Sequence, residues 1–275
     1  MNMKQILVAF DFSKNAHKAL DYALLFANKT GANLNLVWVD NTSTPDNELN
    51  IQQDLRIETK KYFDDIIYKY QPLMKNGNLD VVLRKGKVYN EIAMVARKTE
   101  ADLVFAGTHG VSGFEQYWIG SNAYRIVTCS PCPVITIRSE YNFDNGINRI
   151  LLPLDSTAET HHKLPFACKL ATYFNAEIHL LILYTSNLTV IRNRMKSHAE
   201  KAMACFDEKG IKYRTREMEV DQIVSSVLAY ANEVRADMIS IMTEQTTTTA
   251  SKFLGPYAQQ LINNSLLPVL SLQSK

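Results

Sequence analysis

The chain repeats itself, and no other feature narrows its fold as far. Ile6-Leu7-Val8-Ala9-Phe10-Asp11 returns 144 positions later as Ile150-Leu151-Leu152-Pro153-Leu154-Asp155. The match runs on without a gap: Leu20 falls on Leu164, Ala23 on Ala167, Ala27 on Ala171, Ala32 on Ala176 and Leu36 on Leu180. Further along, Ala101-Asp102-Leu103-Val104 reads against Ala236-Asp237-Met238-Ile239 at an offset of 135. That offset also carries Gly120 onto Gly255, Pro133 onto Pro268 and Val134 onto Val269, so the second copy has a shorter middle. Self-similarity of this kind implies two similar domains in tandem, expected at residues 1–140 and 147–275. The polar stretch Ser139 to Asn148, with the turn signal Asp144-Asn145-Gly146, is the expected junction.

Composition agrees with two ordinary globular domains. The 275 residues suit two units of about 150 each, and 46% hydrophobic with 21% charged residues argues against disorder. A net charge of +2 is too weak a field to suggest nucleic acid or an anionic membrane as the main partner. No apolar run approaches the roughly 18 residues of a membrane span. Met1 to Phe10 lacks the length and cleavage site of a signal peptide. Four cysteines make no disulfide framework, so the expected location is the cytoplasm.

Each copy alternates strand and helix. In the first, Gln5 to Phe10 reads as a buried strand, and Ala16, Ala19, Leu20, Ala23, Leu24 and Ala27 recur at helical spacing up to Gly31. Strand two is expected at Asn33 to Val39. A long helix follows from Glu48 to about Tyr70, with Leu55, Tyr62, Phe63, Ile66 and Ile67 on its buried side. Strand three is Val81 to Leu83, helix three Glu91 to Lys98, strand four Leu103 to Ala106, helix four Ser121 to Val127 and strand five Val134 to Ile137. The fold class is therefore α/β: two tandem doubly wound domains, each a five-stranded parallel sheet in the order 3-2-1-4-5 with helices on both faces. Ligands in such sheets bind at the carboxyl ends of strands where the order reverses, here just after Phe10 and just after Ala106.

Glycine marks that place. Four of the ten glycines fall within Gly107-Thr108-His109-Gly110-Val111-Ser112-Gly113 and Gly120, and Ser121 follows as the expected N-cap of helix four. A strand, a glycine loop and a helix N-terminus together make an anion cradle. No Gly-Lys-Ser/Thr follows, so it is no Walker A loop. The dinucleotide fingerprint belongs after strand one and is absent there.

The spacing Gly107-x2-Gly110-x9-Gly120-Ser121 resembles the ATP-binding signature of the universal stress protein family. Ile6 to Asp11 and Cys129-Ser130-Pro131-Cys132-Pro133-Val134 are similar to that family's two ends, and the resemblance covers nearly the whole chain as two family domains. Ala9 departs from the proline that many members carry. The resemblance implies that the acid after strand one contacts the adenosine moiety, that backbone after strand two contacts adenine, and that the glycine loop holds ribose and phosphates. By position these are Asp11, Val39, Gly107, His109, Gly110, Gly120, Ser121 and Asn122. The implied ligand is ATP, with or without Mg2+. Asp11 can accept from ribose hydroxyls or the exocyclic amine. His109 either donates to a phosphate or is an ordinary exposed loop histidine.

The second copy has lost the loop. Gly107 maps to Met242, Gly110 to Gln245, Gly113 to Thr248 and Ser121 to Pro256, and Thr243-Glu244-Gln245-Thr246-Thr247-Thr248 replaces the glycine run. β-Branched residues resist positive φ, Glu244 repels phosphate, and Pro256 supplies no N–H. Pro165 implies a late start or a kink in the helix matching helix one. The second domain is thus expected to bind no ATP in the family manner and to pair with the first as a built-in dimer; a homodimer of the whole chain is a further expectation.

Other features read as structure. Cys129-x-x-Cys132 lies after a helix rather than at its start, unlike a redox pair, and a zinc site would need two more ligands nearby. Cys168 and Cys205 read as core. His161-His162 face different ways on a helix and His198 carries no pattern. Tyr62, Tyr68 and Tyr70 read as core and interface residues, and Thr246 to Thr249 as a mobile loop. No catalytic residue and no metal site stands out, although Asp40 could approach a magnesium ion. Three functions remain open: an ATP-holding sensor or binding module for the stress response, a nucleotide-independent protein scaffold, and a slow ATP hydrolase related to the adenine-nucleotide α-hydrolases.

Overall fold

The structure, a computed structural model, describes residues 3–41, 49–108, 120–143, 146–154, 162–243 and 254–273, with residues 49–56 as backbone only. Its first half runs β1 (Gln5–Ala9), α1 (Lys14–Thr30), β2 (Asn33–Asp40), α2 (Leu49–Tyr70), β3 (Leu79–Lys85), α3 (Val88–Lys98), β4 (Leu103–Gly107), α4 (Ser121–Cys129) and β5 (Val134–Ile137). The second half runs β6 (Arg149–Leu154), α5 (Leu164–Phe174), β7 (Glu177–Tyr184), α6 (Thr189–Glu208), β8 (Tyr213–Glu219), α7 (Ile223–Glu233), β9 (Met238–Thr243), α8 (Pro256–Asn264) and β10 (Val269–Gln273).

All ten strands form one sheet in the order β3-β2-β1-β4-β5-β10-β9-β6-β7-β8. Each half has the order 3-2-1-4-5 and is parallel throughout. The halves meet where β5 and β10 run antiparallel, with Thr136 opposite Val269 and Ile135 opposite Leu270. Alternate residues of each strand feed two cores. Ile6, Val8 and Phe10 face α1 and α2, while Leu7 faces α3 and α4. The second half repeats this with α5 and α6 on one face and α7 and α8 on the other.

The local signals act as the sequence implies. Ser13 caps α1 by accepting from the Ala16 N–H at 3.1 Å, and Gly31 ends it at φ 75°, donating its N–H to Ala27. Pro165 sits in the first turn of α5, which begins at Leu164, whereas the 144-residue offset puts the counterpart of Lys14 at position 158. The late start is therefore real. One expectation fails. Tyr62 and Tyr68 are 57% and 85% exposed, and of the three tyrosines only Tyr70 is buried. Phe63 and Ile66 point α2 at the core, so Tyr62, one residue or about 100° away, is turned out of it. The segment that joins β5 to β6 packs against both halves. Tyr141 and Phe143 lay their rings 6.0 and 5.0 Å from that of Tyr22, and the Tyr141 hydroxyl donates to the Asp237 carbonyl at 2.9 Å. Asp144, Asn145, Leu55's side chain, Asp155, His161, Glu244, Gln245 and Thr246 to Thr249 lie outside what is described.

The repeated Ala-Asp pair has a structural cause. One carboxylate oxygen of Asp102 accepts from the N–H groups of Lys4 and Gln5 at 2.6 and 3.1 Å. Asp237 does the same for Asn148 and Arg149 at 2.7 and 2.8 Å. In each half an acid at the head of the fourth strand holds the head of the first, supplying acceptors that the sheet cannot. Hydrogen bonds to a charged group contribute about 1.5–3 kcal/mol. Asp102→Ala and Asp237→Ala are each expected to lower the unfolding free energy by about that much, read as a reduced midpoint with unchanged slope in urea titration.

Candidate functional site

Between the carboxyl ends of β1 and β4 lies a crevice of about 420 Å³. Asp11, Val39, Gly107, Gly120, Ser121 and Asn122 all line it, with Ser13, Asp40, Asn41 and Thr108 beside them. Six of the eight expected site residues therefore converge on one cavity. His109 and Gly110 lie outside the described residues. Apolar side chains of Val37, Val88, Ile92 and Ile126 form part of the wall. Such a mixture of apolar surface and a few polar groups is usual for a small-molecule cleft.

The turn after β1 sets the acid. Phe12 has φ 63°, a left-handed conformation that a bulky side chain rarely adopts. Its ring packs 4.9 Å from that of Phe63 and 5.2 Å from that of Phe10, so aromatic contact offsets the backbone strain. The chain then turns sharply from strand to helix, and the Ser13 N–H donates to Asp11 Oδ1 at 3.1 Å. Asp11 stays exposed at the mouth of the crevice, with one oxygen held by the turn. Neither Phe12 nor its strain is signalled by the sequence, beyond its place directly after the acid.

At the opposite wall α4 begins at Ser121, as expected, but Ser121 is not its N-cap. Gly120 is the N-cap and Ser121 the first helical residue. The reason is the Gly120 N–H, which donates to the Thr108 carbonyl at 2.8 Å and fixes residue 120 in an extended conformation. Among the described residues no side chain caps the helix, and glycine at the N-cap has none to offer. Its first-turn N–H groups carry the positive end of the helix dipole. Gly107 also has a reason that the sequence hides. A Cβ there would stand 2.6 Å from Asn15 Cβ and 2.9 Å from the Asn15 carbonyl carbon. Glycine is required at 107 because α1 crosses β4 closely.

A second cavity of about 610 Å³ opens on the other side of Trp38, which borders both. Phe12, Tyr62, Ile66 and Tyr70 give it an apolar lining, with His17, Glu58, Asp65 and Lys69 at its edges. Burial, and then the bond its hydroxyl donates to Asp21 at 2.7 Å, hold Tyr70 protonated well above the ordinary tyrosine range. This larger cavity adjoins α2 and takes in none of the expected site residues.

The second half differs at the matching place. Met242, the counterpart of Gly107, is buried in the core, and Thr243 donates its hydroxyl to the Leu272 carbonyl at 3.0 Å. Lys163, 2% exposed, donates to the Pro153 carbonyl at the end of β6. Pro256 is the first residue of α8, without an N–H. Among the described residues no cluster of three His, Cys, Asp or Glu side chains is placed to hold a metal ion, and no helix is long and apolar enough to cross a membrane.

Residues 2–138 match the model of the universal stress protein family. A putative universal stress protein of Staphylococcus saprophyticus is 28% identical over 144 residues, which span 51% of this chain and 86% of the relative. One of Staphylococcus epidermidis is also 28% identical over 144 residues, spanning 51% and 87%. Among solved structures, a universal stress protein from Archaeoglobus fulgidus is similar with a TM-score of 0.79 at 17% identity, covering 98% of both chains. A putative universal stress protein from Pseudomonas aeruginosa gives 0.73 at 16%, covering 98% of this chain and 93% of its own. At such identities the likeness is one of fold, and it extends over both halves.

The close approach at Gly107 can be tested without any ligand. Gly107→Ala is expected to cost about 1–3 kcal/mol of stability, because helix backbone must move to admit the methyl group. Equilibrium denaturation of the ligand-free variant checks it; an unchanged midpoint would show that α1 yields freely.

Proposed function

The chain belongs to the universal stress protein family, and on that premise we propose that its N-terminal half binds an adenine nucleotide, ATP foremost, in the crevice between β1 and β4. The observation that carries this reading is the convergence of Asp11, Val39, Gly107, Gly120, Ser121 and Asn122 on one cavity at the start of α4. Asp11, Val39 and the start of α4 have roles suited to the ligand. Asp11 offers a carboxylate oxygen to ribose hydroxyls or an exocyclic amine. Backbone at Val39 lies at the apolar wall, where a flat base would lie. The α4 N-terminus receives phosphate, and its N-cap Gly120 has no side chain to compete for the same N–H groups. Asp40, on the same wall, is the residue that would meet a magnesium ion accompanying the phosphates.

The working chemistry of this reading is recognition. A cytoplasmic module of this kind holds or senses the nucleotide, and any turnover is slow. The C-terminal half serves as a partner for the first half rather than as a second ATP site. Buried Met242 and the proline at the start of α8 support that division.

Calorimetric titration with ATP, ADP and AMP tests the proposal. ATP is expected to bind the wild type. Asp11→Ala is expected to weaken binding at least about tenfold, the loss of one good hydrogen-bonded contact to a charged group. The Gly110→Val, Gly120→Val double variant is expected to abolish binding, and residual tight binding would place a site in the second half. No heat and no thermal shift with any nucleotide would instead favour a protein scaffold. Multiple-turnover release of phosphate or pyrophosphate would favour a hydrolase.

A further inference from the structure

Far from the crevice, Cys168 of α5 and Cys205 of α6 bring their sulfur atoms to 3.7 Å. Both thiols are free. Cys168 is fully buried, and Cys205 is partly exposed. The other two cysteines have hydroxyl neighbours: Thr128 Oγ1 lies 3.8 Å from Cys129 Sγ and Ser130 Oγ 3.6 Å from Cys132 Sγ. We propose that Cys168 and Cys205 form an oxidative modification site, at which a hydroperoxide converts the two thiols into an intrachain disulfide that staples α5 to α6. This inference is independent of nucleotide binding.

The two thiols are unequal in a way that orders the steps. Burial, and then the neighbouring Cys205, push the Cys168 thiol up to about 12, while the Lys209 ammonium pulls the other way. Cys168 therefore stays protonated inside, and Cys205 is the thiol that solvent reaches. A Cys205 thiolate attacks one oxygen of hydrogen peroxide. The O–O bond breaks, water leaves once the departing hydroxide is protonated, and the sulfur is oxidised by two electrons to a sulfenic acid. The Cys168 sulfur then attacks the Cys205 sulfur. The S–S bond forms, the S–O bond breaks, and the leaving hydroxide takes the Cys168 proton as a second water. The sum is two thiols and one hydrogen peroxide giving one disulfide and two waters. The sulfur atoms must close from 3.7 Å to about 2.05 Å.

α5 is also the helix on which the halves rest against each other. Lys169 pairs with Asp102 at 3.7 Å, the Tyr173 hydroxyl accepts from the Met3 N–H at 2.9 Å, and the Phe174 ring lies 4.7 Å from that of Phe26. Oxidation would fix this helix to α6 across a long loop of chain, which in the chain-entropy account restricts the unfolded state.

The test uses the full chain in native buffer with a few equivalents of hydrogen peroxide, followed by alkylation in denaturant and mass mapping. The expected product is lighter by about 2 Da before alkylation. Two of its four cysteines still take the label, and a Cys168–Cys205 cross-linked peptide disappears on reduction. Its Tm is expected to rise by roughly 5 °C or more. Cys205→Ser should yield no cross-link, and Cys168→Ser should leave a sulfenic acid at Cys205 that dimedone traps. A Cys129–Cys132 bridge in place of the expected one would overturn the proposal. So would full alkylation of Cys168 and Cys205 after the other thiols have reacted, a cross-link formed only in denaturant, or a lowered Tm. The wild-type map needs no variant to fold.

Discussion

Parallel pairing of β1 with both β2 and β4 is the constraint from which the rest follows. A parallel strand cannot be reached by a tight turn, so each connection must cross a face of the sheet. The chain leaves β1 for β2 over one face by α1. It returns from β3 to β4 over the other face by α3. The carboxyl ends of β1 and β4 therefore part company, and neither connection covers the gap between them. The crevice is a consequence of topology before any side chain is chosen. What the side chains add is narrow: a strained turn that sets Asp11 at its mouth, a glycine that lets α1 pass close to β4, and a glycine as the N-cap of α4.

Much of this was readable in the chain. The strand order, the position of nearly every element in the first half, the stop at Gly31 and the late start imposed by Pro165 follow from period, backbone preference and repetition. The crevice was readable too, because strand order reversal and the glycine run point to the same place. The unread parts depend on distance in space. Gly107 looks like a ligand glycine, but its neighbour is Asn15, from a different element. Tyr141 and Phe143 sit in a stretch that composition marks as a junction, and only the structure shows their half-buried rings packed on Tyr22. Tyr62 follows the helical pattern loosely enough to be placed on the wrong side of α2. Cys168 and Cys205 obey no spacing rule, since two helices bring them together.

The halves share a frame and differ at the site. Both hold the head of their first strand with an aspartate, and both bury strands of the same alternating kind on two faces. They part where the first half needs empty space. Gly107 has become Met242, whose side chain is in the core, and the helix that would cross it begins only at Leu164. Near the end of β6 a lysine is buried against a backbone carbonyl. The second half keeps what a sheet requires and has replaced what a cleft requires.

The antiparallel seam of β5 with β10 has one more consequence. Two separate chains meeting through the same strand would have to be self-complementary, so every change at the contact would occur twice and be judged against itself. Covalent linkage lifts that condition. Thr136 faces Val269 and Ile135 faces Leu270, and each position is free to diverge from its counterpart. Stoichiometry is then set at translation: subunit exchange cannot produce a molecule with two glycine loops or with none, and the local concentration of the partner no longer depends on how much protein is made.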